Sequence, residues 1–153
     1  MPHNWQRICC PVDFSACSRA ALDQAVSLAF HTGAEIFLLH AMEPPVDTLV
    51  TASGTWTPGV LSQLEQDLTD ELARWQQAAL EAGADHVASE VIVSAHTLGA
   101  IVHYAIEHRC DAFVLGSHGA GNSTQVLGSV AAEVVRKAAV PVVVVNPPAN
   151  LPG

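Results

Sequence analysis

Five short apolar runs punctuate the chain: Ile8–Val12, Ile36–Met42, Val87–Val93, Ala112–Leu115 and Val142–Val145. Strands covered on both faces read as unbroken apolar runs, and at least three of these five do. Val142–Val145 is entirely β-branched, which favours a strand over a buried helix. Between the runs the period changes to that of a helix. Ala21, Ala25, Leu28 and Ala29 mark one face, closed by Gly33 as a C-terminal cap. Leu61, Leu64, Leu68, Leu72, Trp75 and Ala79 mark a second, with Gly83 following. Leu98, Ile101, Val102, Ala105 and Ile106 form a third. Val130, Val134 and Ala138 form a fourth, with Arg136 and Lys137 in a last turn where the helix dipole favours cations.

Strands and helices in strict alternation imply an α/β fold: a parallel five-stranded sheet with right-handed crossovers and helices on both faces, Rossmann-like in class. The rhythm breaks only at Val46–Val60, where Ser, Thr, Gly and Pro surround Trp56 and predict a mobile connection. No repeat or linker interrupts the pattern, so residues 1–153 read as a single domain with a tail at Pro147–Gly153.

Composition narrows the field. Half of the 153 residues are hydrophobic and 14% are charged, which suits a packed core and not disorder. No apolar run approaches the roughly 20 residues that span a bilayer. Met1–Val12 lacks a basic segment followed by a long apolar one, so a cytoplasmic location is expected. Six basic residues against fifteen acidic ones give a formal charge of −9, which argues against nucleic acid as a partner. Cys9, Cys10, Cys17 and Cys110 have no C-x-x-C spacing. Cys9 and Cys10 should point to opposite faces of a strand as buried, reduced thiols; a redox role for Cys10 and Cys17 is the competing reading.

Ligands of open parallel sheets bind beyond the carboxyl ends of the strands. Two segments fall there: Pro11-Val12-Asp13-Phe14-Ser15, and Gly116-Ser117-His118-Gly119 with its polar loop to Gly128-Ser129. Glycines admit a phosphate close to the backbone, and a helix N-terminus offers N–H groups with partial positive charge. The spacing fits equally well two turn glycines and Ser129 as a helix N-cap, with Asp13 a solvated carboxylate or the cap of the first helix. Other chemistries are absent. The single lysine, Lys137, excludes a P-loop, and there is no G-x-S-x-G elbow. His40, His96, His103 and His118 lack metal-ligand spacing. Asn122-Ser123-Thr124 matches a glycosylation acceptor without a secretion signal, and Gly119-Ala120-Gly121 lacks the third glycine of a dinucleotide fingerprint.

Ile8–Ser15, Phe37–Ala41, Val114–Gly119, Leu127–Val130 and Pro141–Val145, taken in that order, resemble the universal stress protein family. The resemblance spans about Arg7 to Asn146 and implies a sheet of order 3-2-1-4-5. In the ATP-binding branch it implies a phosphate motif G-x2-G-x9-G-[ST]. Carried over, Asp13 would meet the adenosine, and the backbones of Pro11 and Ala41, with Val12, would flank the base. Gly116, Ser117, His118, Gly119, Ala120, Gly121 and Asn122, with Gly128, Ser129 and Val130, would hold ribose and phosphates. The sequence departs from the pattern twice: eight residues, not nine, separate Gly119 from Gly128, and Ser94-Ala95-His96-Thr97 replaces the usual Gly and Pro. The implied function is an ATP-binding stress-response regulator, with magnesium on the nucleotide and little hydrolysis. Val142–Val145, at the sheet edge in that order, would pair with a second copy to form a homodimer. A nucleotide-free dimeric interaction module and an enzyme, a small α/β nucleotide-handling or flavin protein, are the alternatives.

Overall fold

The computed structural model describes residues 4–44, 58–119 and 127–147. Its elements are β1 (Arg7–Pro11), α1 (Ala16–Thr32), β2 (Glu35–Met42), α2 (Pro58–Glu81), β3 (Val87–Val93), α3 (Thr97–Glu107), β4 (Ala112–Gly116), α4 (Ser129–Lys137) and β5 (Val142–Val145). All neighbouring strands are parallel, in the order β3-β2-β1-β4-β5. The chain therefore winds from β1 out to β3, returns, and winds the other way through β4 and β5. The reversal falls between β1 and β4.

Side-chain alternation along β1 builds two cores. Ile8 and Cys10 pack with Leu22, Ala25, Trp75 and Ala79 of α1 and α2, whereas Cys9 packs with Ile101, Tyr104, Ala131 and Val134 of α3 and α4. The Ala21–Ala25–Ala29 stripe of α1 is buried as its spacing requires. Gly33 ends that helix in the left-handed region (φ 76°), with its N–H on the Ala29 carbonyl at 2.8 Å.

The expected helical stripes need four corrections. Residues 58–60, read as part of the connection, are the first turn of α2; Trp56 and residues 45–57 lie outside the described residues. Leu64 is exposed because α2, 24 residues and roughly 36 Å long, overhangs the seven-residue β3 of roughly 23 Å. On α3 the buried set is Ile101, Tyr104 and Ala105; Ile106 lies a further 100° around the helix and is 66% exposed. On α4, Ala131 and Val134 carry the buried face, and Val130 sits one step off it.

All four cysteines are free and buried. Burial pushes the Cys10 thiol up to about 12, and a hydrogen bond to the Cys110 thiol together with burial raises Cys9 well above the ordinary thiol range. Thiolate is the reactive form. Cys9 and Cys10 are therefore expected to resist iodoacetamide at pH 8 in the native protein and to be modified only in denaturant. Native labelling of either, read by peptide mass spectrometry, would contradict this burial.

Candidate functional site

The site begins with how β1 stops. In this ladder the Gln6 carbonyl and the N–H and C=O groups of Val12 face β2, while the N–H and C=O groups of Arg7 face the β4 side, where Asp111 also takes the Gln6 N–H. The bonds Glu35 N–H to Gln6 (2.8 Å), Val12 N–H to Leu39 (2.7 Å) and Asp111 N–H to Arg7 (2.7 Å) show it. Pro11 then faces β4, and it has no N–H to donate. The β1–β4 register holds only Ile8↔Ala112 and Cys9↔Phe113, after which the strands part. A crevice opens at the reversal of the winding, where open sheets take their ligands.

On its other side β1 stops for a different reason. Register offsets place Val12 opposite His40, so a regular ladder would continue with the Ala41 N–H on the Val12 carbonyl. The ladder ends instead at Pro11↔Leu39. His40 Nδ1 lies 2.7 Å from the Val12 oxygen. A carbonyl only accepts, so Nδ1 carries the hydrogen. Ala41 follows Leu39 by two residues, so its N–H and C=O also turn toward the β1 side, past the end of β1.

The β1–α1 turn fixes Asp13. Phe14 takes φ 64°, a left-handed conformation that costs a non-glycine residue about 1–2 kcal/mol. Its ring packs at 4.7 Å on His40 and 5.4 Å on Trp75. Ser15, rather than Asp13, caps α1, its hydroxyl accepting from the Ser18 N–H at 3.1 Å. Asp13 Oδ1 accepts from the Ser15 N–H (3.1 Å) and the Ser18 hydroxyl (2.6 Å), while the Asp13 N–H donates to Ser18 Oγ (3.0 Å). A Cβ built on Gly119 would stand 2.6 Å from Asp13 Oδ2, so the two loops meet there.

Each glycine of the second segment has its own cause. A Cβ on Gly116 would lie 2.9 Å from Cys17 Sγ and 3.1 Å from the Cys17 carbonyl carbon, so Gly116 lets the start of α1 pack on β4. Gly128 donates to the Ser117 carbonyl at 2.6 Å, and a Cβ there would crowd His118 and Ser117 at 3.2 Å. Gly128, not Ser129, is the N-cap of α4, and among the described residues no side chain caps that helix. Its first N–H groups are left for a ligand or solvent. Ser117 is buried, with its hydroxyl 2.8 Å from His118 Nδ1 and 3.8 Å from Cys17 Sγ, so it stiffens the wall.

These parts enclose a cavity of about 250 Å³. Pro11, Val12, Asp13, Ala41, Gly116, Ser117, His118, Gly119, Gly128, Ser129 and Val130 all line it; Ala120, Gly121 and Asn122 lie outside the described residues. Sequence reading missed Ser18, His40, Thr97, Ile101, Leu115 and Ala131. Thr97 and Ile101 share a face of α3 one turn apart, a spacing visible in the sequence once α3 is placed. Part of the lining is apolar (Val12, Ala41, Ile101, Leu115), and part is backbone and hydroxyl (Gly119, Gly128, Ser129). Among the described residues no Lys or Arg lines the cavity, and Asp13 is its one carboxylate. Among the described residues no cluster of His, Cys, Asp or Glu could hold a metal ion, and no helix is long and apolar enough to cross a membrane.

A doubly wound parallel sheet with a crevice at its switch point, lined by a strand–glycine–helix segment, defines an α/β protein of the Rossmann-like class. The Universal stress protein family profile matches residues 4–146, and the chain belongs to that family. It is 26% identical to the universal stress protein MJ0531 of Methanocaldococcus jannaschii over 145 residues, 94% of this chain and 84% of that protein. The structure of the universal stress protein UspA from Lactobacillus plantarum superposes with a TM-score of 0.78 at 25% identity, covering 94% of this chain and 99% of that one. The Archaeoglobus fulgidus universal stress protein in complex with dAMP shares the fold, with a TM-score of 0.66 at 21% identity over 94% and 99% of the two chains.

Proposed function

We propose that the protein binds an adenine nucleotide, ATP, in this crevice, and that it serves in the cytoplasm as a stress-response regulator whose occupancy is the signal. The observation that carries the reading is the half-buried Ala41 edge, which lines the cavity past the point where the β1–β2 ladder ends. Adenine presents an acceptor at N1 beside the N6 donor, which the Ala41 N–H and C=O complement. Guanine presents N1–H beside O6, the reverse order, and would leave the desolvated Ala41 groups opposed by like partners. The backbone around Gly119 and the open first turn of α4 suit ribose and phosphates. Asp13, held by Ser15 and Ser18, suits the ribose hydroxyls as a fixed acceptor. At about 250 Å³ the cavity is small for a ligand pocket, so it houses the nucleoside and leaves the phosphates at its mouth. Magnesium would arrive on those phosphates. The dAMP bound by the Archaeoglobus fulgidus relative supports the reading by fold analogy alone. Titration with ATP and GTP tests it: ATP is expected to bind at least tenfold tighter, and equal affinities would overturn the base-reading role.

Turnover is expected to be very slow, so the protein works as a binder and not an enzyme. Fast phosphoryl transfer needs positive charge on the transferring group, a held metal and an oriented water. Gly116–Ser129 contains no Lys, Arg, Asp or Glu. Steady-state phosphate release with magnesium should stay far below one per second. A rate near that value, abolished by Ser129→Ala, would make the protein an ATPase.

Homodimerisation through β5 belongs to the same proposal. Pro141 and Val145 carbonyls face β4, accepting from Phe113 and Ser117 at 2.9 and 2.8 Å, so Val142 and Val144 turn their backbone groups outward at the sheet edge. Val144→Pro removes an N–H that no described residue of the monomer accepts, and it should shift the protein toward monomer in light scattering. A dimer of unchanged strength would place the interface elsewhere. A nucleotide-free dimeric interaction module is the second reading, favoured by the eight residues between Gly119 and Gly128 where the ATP-binding pattern has nine.

A further inference from the structure

We infer that His40 is a positioning residue that holds the β1–β2 ladder open by one bond. The inference rests on the adenine-nucleotide reading for its purpose, and on backbone geometry alone for its mechanism. Val12 already donates to the Leu39 carbonyl at 2.7 Å, so the strands are in register for the next bond, Ala41 N–H to Val12 C=O. That bond would lengthen the ladder by one residue and take up the Ala41 N–H. His40 prevents it by holding the Val12 carbonyl turned toward its own ring, Nδ1–H on the oxygen at 2.7 Å and out of line with the Ala41 N–H, since an oxygen with two lone pairs is not filled by one donor.

Two further contacts hold this arrangement. The Phe14 ring lies 4.7 Å from the His40 ring, and its other neighbour is Trp75 at 5.4 Å, so the imidazole is clamped from the side of the turn. The same turn carries Asp13, tied to Ser18 and Ser15. One side chain thus sets both the Ala41 edge at the base end and the approach of the Val12–Phe14 turn. His40 itself lines the cavity, which keeps the diverted carbonyl beside the ligand space rather than in the sheet.

A histidine that merely filled space would behave differently on replacement. Losing packing would loosen the end of β2 and speed exchange of the Ala41 amide. Losing the hydrogen-bond donor alone frees the Val12 carbonyl to receive the Ala41 N–H, which slows that exchange. The pair His40→Leu and His40→Asn separates the two, because the asparagine amide places an N–H at the position of Nδ1.

The experiment is amide hydrogen exchange at Ala41, followed by NMR, with ATP titration of the same three proteins. In His40→Leu, Ala41 exchange should slow at least tenfold and ATP affinity should fall at least tenfold, while His40→Asn keeps both near wild type. Unchanged or faster Ala41 exchange in His40→Leu would overturn the inference, as would a His40→Asn protein that behaves like His40→Leu. Slowed exchange with unchanged ATP affinity would overturn the purpose assigned to it. Should wild type bind no ATP, the nucleotide reading falls, and the exchange contrast still decides whether His40 holds the ladder open.

Discussion

Gly119→Val should leave the protein folded and weaken ATP binding at least 100-fold, about 2.8 kcal/mol at about 1.4 kcal/mol per tenfold step. The cause is local. A Cβ at this position would stand 2.6 Å from Asp13 Oδ2, a distance that no stable pair of such atoms keeps. The carboxylate must swing away, and it can do so only by giving up the Ser18 hydroxyl and the Ser15 N–H on its other oxygen. The two valine methyls then stand between Asp13 and the α4 N-terminus, where ribose and phosphate would lie. Gly119 is exposed and the nearest obstruction is the end of a side chain, so the fold should lose no more than about 1 kcal/mol, a surface-like change. Calorimetric titration beside a thermal melt checks both halves. Retained ATP affinity would separate Asp13 and Gly119 from the ligand.

Gly116→Ala should do the opposite, destabilising the protein by about 2 kcal/mol through overpacking. That corresponds to a midpoint lowered by about 4–8 °C in a domain of this size. The added methyl would meet Cys17 Sγ at 2.9 Å and the Cys17 backbone at 3.1 and 3.2 Å. Backbone does not rotate aside, so the first turn of α1 must shift from β4. The two glycines belong to one short motif and yet answer to different demands, one to ligand space and one to helix–strand contact. A Gly116→Ala protein with an unchanged melting midpoint would show that α1 has room the packing does not suggest.

The strand order and the layering were legible because they follow from coarse physics. Unbroken apolar runs require covered strands, and alternation of strand and helix requires parallel pairing. The order 3-2-1-4-5 itself came from resemblance, since no periodicity distinguishes one doubly wound order from another. Helix faces were legible where a stripe is anchored on both sides, as in Ala21–Ala25–Ala29. They failed where the helix outruns the sheet, as at Leu64, or where the apolar stripe is wider than the buried face, as at Ile106, one step past Ala105. In the site, the two loop segments could be located from their glycines and Asp13. The role of Ser18 could not, because it depends on how the β1–α1 turn folds back on Asp13, nor could that of His40, which depends on which backbone groups the ladder leaves unpaired. That is a property of register between strands 28 residues apart in sequence. Ser117 lines the cavity as its place in the motif suggests, and it is buried with its hydroxyl toward His118, a partner the motif alone does not name.

The central claim is that this crevice takes adenine nucleotide, and isothermal titration of freshly purified, nucleotide-stripped protein with ATP and magnesium tests it most directly. Saturable heat with one site per chain, lost in Gly119→Val while that variant keeps its melting midpoint, is the expected result. No heat up to millimolar ATP from a folded protein would contradict the account and leave the nucleotide-free interaction module in its place.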